Sequence, residues 1–147
     1  MKIIRKIGLT VVFWLICLFV SGFGFQYAQD RVLSGGATAE GYAIIVLLFR
    51  TASVLAAVFV AYKISRNQAD GCLRVNCILA AVWLLYNAFS GYADFYRYKD
   101  YIQSDALGLL IFSDLIPGTI SAVFAWKFRD KKVEQEEKSE ENPGSEK

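Results

Sequence analysis

Apolar residues gather into four long blocks along the chain, at about 7–27, 41–62, 75–92 and 106–126, with short polar stretches between them. Each block is close to the roughly 20 residues a helix needs to cross about 30 Å of hydrocarbon. The pattern predicts an all-α, integral membrane four-helix bundle over residues 1–130. After Trp126 the sequence turns to Lys, Glu and Ser, which bury too little surface to offset their ordering entropy. Residues 131–147 are therefore expected to form a disordered, charged cytoplasmic tail.

Composition agrees with the block pattern. The 147 residues are 55% hydrophobic and 15% aromatic, with a mean hydropathy of +0.35, too apolar for an ordinary soluble domain of this size. The lipid bilayer is thus the first expected partner. A net charge of +2, without a basic stripe interleaved with aromatics, argues against nucleic acid. There is no histidine, which removes the commonest general base and the commonest metal ligand together. Cys17, Cys72 and Cys77 are spaced as small buried or reduced thiols rather than as a disulfide framework or a metal set. No cofactor-binding pattern is present, and Ser34-Gly35-Gly36 reads as a flexible turn rather than a phosphate loop.

Charge asymmetry orients the spans. Lys2, Arg5 and Lys6 precede the first, Lys63, Arg66 and Arg74 fall between the second and third, and Lys127, Arg129, Lys131 and Lys132 follow the fourth. Only Arg31, Arg97 and Lys99 occupy the other side. The positive-inside rule then predicts a multi-pass protein of the inner (plasma) membrane with both ends in the cytoplasm, N-in and C-in. A cleaved signal peptide competes for the first span, but Gln26-Tyr27-Ala28 makes no small-residue cleavage site, so an uncleaved anchor is expected.

An internal repeat is visible. Arg5, Trp14-Leu15, Ser21-Gly22-Phe23 and Tyr27 recur as Arg74, Trp83-Leu84, Ser90-Gly91-Tyr92 and Tyr96, at a constant offset. Ala57-Val58-Phe59 and Ala61-Tyr62-Lys63 recur as Ala122-Val123-Phe124 and Ala125-Trp126-Lys127, one residue shorter. Duplication would give two tandem helical hairpins related by a pseudo-two-fold axis along the membrane normal. The shared taste of membrane helices for small and interfacial aromatic residues produces similar patterns without common ancestry.

Two charges interrupt the apolar blocks. A lone charge at mid-bilayer costs about 2.5 to 3.5 kcal/mol on insertion scales, so Arg50 and Asp114 each need a partner. Arg50 lies thirteen residues before Lys63 and Asp114 thirteen before Lys127, which sets both roughly 20 Å from the same boundary. Ser53, Ala57 and Ala61 follow Arg50 at helical spacing, while Gly118, Ser121 and Ala125 follow Asp114. Small residues so placed let membrane helices approach, predicting that the two stripes pack and the charges meet. Asn87 reaches a similar depth and is a candidate hydrogen-bond partner, and Pro117 is a candidate kink. Three roles stay open: a structural pin, a ligand or ion pathway, and escape of Arg50 past its own helix.

The stretch GYADFYRYKDYIQSD reads as an outer loop whose aromatics form an interfacial belt or a docking surface. With neither a nucleophile elbow nor a close carboxylate pair, enzymatic activity is the least supported class. The remaining readings are an accessory, regulatory or immunity-type protein that binds another membrane protein or itself, and a small oligomeric transporter or channel unit.

Overall fold

A computed structural model describes residues 2–65, 71–98 and 104–128. They form four helices, α1 (Lys2–Leu33), α2 (Ala39–Ile64), α3 (Gly71–Tyr98) and α4 (Ser104–Lys127). All four contain segments long and apolar enough to cross a membrane. Their outward faces carry Phe19, Phe89 and Trp126, each more than 70% exposed, as suits helices whose solvent is hydrocarbon rather than water. The protein is a four-helix membrane bundle. Residues 131–147, read above as a tail, lie outside the described part.

The helices overrun the apolar blocks because hydropathy marks only the stretch that needs lipid, whereas backbone bonding continues until a residue stops it. In α1 the helix runs through Gln29, Asp30 and Arg31 to a Gly35 with φ 70°, where the amides of Ser34 and Gly36 close on the Asp30 and Arg31 carbonyls. Thr38 then caps α2, its hydroxyl accepting from the Gly41 amide at 3.2 Å. The start of the expected outer loop needs correcting. Gly91–Tyr98 continues α3, with Tyr92 and Tyr96 exposed along it, because no proline or turn sequence breaks the helix before Lys99.

The chain builds two antiparallel hairpins. In the first, Phe23 and Tyr27 pack on Phe49, Phe25 packs edge-on against Tyr42, and an Arg5 guanidinium N–H donates to the last-turn carbonyl of Ile64. Gly24 is what lets Phe49 lie on α1, since any Cβ there would occupy the space of the phenylalanine side chain. In the second, Gly118 seats against Leu84 and Leu85, and Gly91 against Ile111. The hairpins meet mainly along α2 and α4, with lesser contacts between α1 and α3 and between α2 and α3.

The buried apolar core is concentrated near the basic end of the bundle. It comprises Leu9, Phe13 and Cys17 of α1, Val54, Ala57, Val58 and Ala61 of α2, Leu73, Cys77, Ala80 and Leu84 of α3, and Ala125 with Phe128 at the end of α4. Ser53, Ala57, Ala61, Gly118, Ser121 and Ala125 are all buried, so both small-residue stripes face inward. Gly118, however, seats on α3. The stripe of α4 therefore serves two neighbours rather than α2 alone.

Candidate functional site

Two polar contacts join the hairpins, one charged and one neutral. The charged contact lies between α2 and α4. Arg50 donates through Nη1 to the Asp114 carboxylate, and the same nitrogen reaches Ser113 Oγ at 3.4 Å. Helical geometry explains the pairing: the two helices run in the same direction, as the second contact of Tyr62 with Phe128 confirms, and both residues stand at the same distance from their terminal lysines. The Arg50 side chain is 24% exposed and that of Asp114 13%, so little of the attraction is lost to solvent.

Neighbouring serines occupy the groups around the pair. Ser113 Oγ donates to the Leu110 carbonyl at 2.6 Å, and Ser53 Oγ donates to the Arg50 carbonyl at 2.7 Å. Pro117 sits fully buried inside α4 without breaking it. Because proline has no N–H, the carbonyl of Ser113 lacks its helical donor, which leaves an extra acceptor on the turn that carries Asp114. Asn87 does not play the part expected of it. It is half-buried on α3, and the additional hydroxyl beside Arg50 comes from Ser113. A void of about 10 Å³ borders Arg50, Ser53, Ser21 and Trp83, at most room for a single water.

The neutral contact lies between α1 and α3 and centres on Asn76, which is 2% exposed. Its amide nitrogen donates to Thr10 Oγ1 at 3.0 Å and to the Cys72 carbonyl at 2.9 Å, while its oxygen accepts from Trp14 Nε1 at 3.1 Å. Cys72 Sγ lies 3.4 Å from Thr10 Oγ1 and 3.5 Å from the Lys6 carbonyl. Trp14 in turn meets Trp83 edge-on at 6.2 Å. Asn76 went unnoticed in the sequence because no charge draws attention to it. The signal was there: Thr10 and Trp14 are four apart, Cys72 and Asn76 are four apart, and both pairs lie near the basic ends of parallel helices.

Among the described residues no three His, Cys, Asp or Glu side chains group as metal ligands. Among the described residues the buried side-chain polar atoms without partners are Thr51 Oγ1, Arg74 Nε and Ser121 Oγ. Fold and site together define a small polytopic membrane bundle in which, among the described residues, an Arg50–Asp114 contact and an asparagine network join the two hairpins. Comparison with protein-family models, with curated proteins and with solved structures finds no match for the chain.

Proposed function

We propose that this chain is a non-catalytic membrane protein of accessory, regulatory or immunity type, acting through helix-face or outer-loop contacts with another membrane protein. The observation that carries the reading is the closed state of the charge pair. Asp114 is engaged by Arg50, Ser113 is engaged on both sides, and the adjoining void holds about 10 Å³. A permeation path needs charged groups that can exchange partners with a passing ligand. Here Arg50 Nη1 and Asp114 Oδ1 engage each other, as suits a pin that fixes α2 beside α4.

In this reading the bundle lies in an inner membrane with Lys6, Lys63 and Lys127 toward the cytoplasm, following their excess at one end. The two hairpins are a tandem duplication. In support, the equivalent residues Trp14 and Trp83 meet edge-on at 6.2 Å, as equivalent positions beside a pseudo-two-fold axis between α1 and α3 can.

The alternative, a small oligomeric transport unit, draws on the polar edge that Ser21 and Ser53 give the void and on the unpaired Ser121 hydroxyl. A double replacement, Arg50→Leu with Asp114→Leu, separates the two. The accessory reading expects the variant to accumulate and to migrate in the same native-membrane complex as the parent. If instead the parent dissipates an ion gradient in liposomes and the double variant does not, transport is the function.

A further inference from the structure

Apart from the sites above, a groove of about 430 Å³ opens between α2 and α4 at their basic ends. Leu55, Val58 and Phe59 form one wall and Phe124 the other. Stacked aromatics bridge the two walls, Tyr62 on Phe128 at 5.9 Å and Phe128 on Phe124 at 6.0 Å. Lys127 is among its lining residues, and the Lys63 ammonium lies 5.8 Å from the centroid of the Phe59 ring that lines it, so both cations belong to the basic end of the groove.

We propose that this groove holds an anionic phospholipid of the surrounding bilayer, with an acyl chain along the Leu55 to Phe59 wall and its phosphate between Lys63 and Lys127. Three features select that occupant. The volume falls within the range of small-molecule sites, and the lining is apolar apart from its mouth. From Lys63 to Leu55 the wall runs eight residues, roughly 12 Å of helix, so it extends from the charged boundary into hydrocarbon depth as a lipid tail does. Both cations stand at the ends of their apolar spans, and basic pockets between membrane helices are a recurring form of anionic-lipid recognition. The polar run after Phe128 matches the groove poorly. Glu134, Glu136 and Glu137 complement the lysines, but Val133 is its sole aliphatic residue.

The test uses the full chain in nanodiscs of phosphatidylcholine containing a minor share of phosphatidylglycerol, released into a native mass spectrometer. Wild-type protein is expected to retain phosphatidylglycerol well above its share of the bilayer. Lys63→Gln and Lys127→Gln are each expected to lower that enrichment roughly five-fold, and the double variant roughly 25-fold. Both lysines are exposed, so their loss leaves the core intact, which circular dichroism checks. Retention of the two lipids in bilayer proportion, or enrichment that survives the double variant, overturns the proposal. Occupancy is read directly with a photoactivatable benzophenone amino acid in place of Phe59. Addition of one lipid mass on illumination supports the site, whereas a crosslink to residues 129–147 or to a second copy overturns it.

Discussion

The contacts that join the two hairpins solve one problem in opposite ways. Between α2 and α4, Arg50 and Asp114 bring full charges into an apolar bundle and neutralise each other there. Between α1 and α3, Asn76 brings only dipoles, and Thr10, Trp14 and Cys72 satisfy its amide from three directions. Removing half of an ion pair strands a charge, whereas removing the asparagine strands a hydroxyl and an indole N–H. The difference teaches that the charged contact carries more risk without contributing more net stability, because desolvation offsets most of its attraction.

Four substitutions test that contrast, in falling order of expected effect. Asp114→Leu leaves Arg50 buried and unpaired and should lower unfolding free energy by about 3–5 kcal/mol. Denaturant titration in micelles measures it, and membrane accumulation should fall in step. Asn76→Leu should cost about 1–3 kcal/mol in the same titration, since Trp14 and Thr10 lose their partner. A larger loss for Asn76→Leu than for Asp114→Leu would invert the comparison. Trp14→Phe keeps an aromatic side chain, though a smaller one, and removes the indole donor, so about 0.5–1.5 kcal/mol is expected from the lost hydrogen bond. Arg50→Leu combined with Asp114→Leu should unfold at close to the parental denaturant concentration, because two apolar side chains replace a pair whose net contribution is near zero. A double variant as unstable as Asp114→Leu alone would show that the pair stabilises outright.

The contrast also marks what was legible in the sequence. Four spans stand out because hydrocarbon demands long apolar runs, and Arg50 and Asp114 stand out because charge is costly inside such runs. Their matching register with Lys63 and Lys127 placed them at one depth. Helix ends were less visible, since the amide bonding that carries α3 on to Tyr98 leaves no trace in hydropathy. Asn87 stands out in the sequence for its depth beside the charges, yet depth does not fix which side of a helix faces in. The rotation of α3 buries Asn76 against α1 and leaves Asn87 half-buried. Gly24 was equally silent, because its meaning comes from Phe49, which is remote in sequence.

The separation of 64 residues between Arg50 and Asp114 has a consequence for biogenesis. At synthesis rates of about 5–20 residues per second, Arg50 is made roughly 3 to 13 s before its counter-ion. During that interval the first hairpin exists with a naked guanidinium. Until α4 arrives, that unpaired cation costs about 2.5 to 3.5 kcal/mol on insertion scales, and the arrival of Asp114 is the step that relieves it.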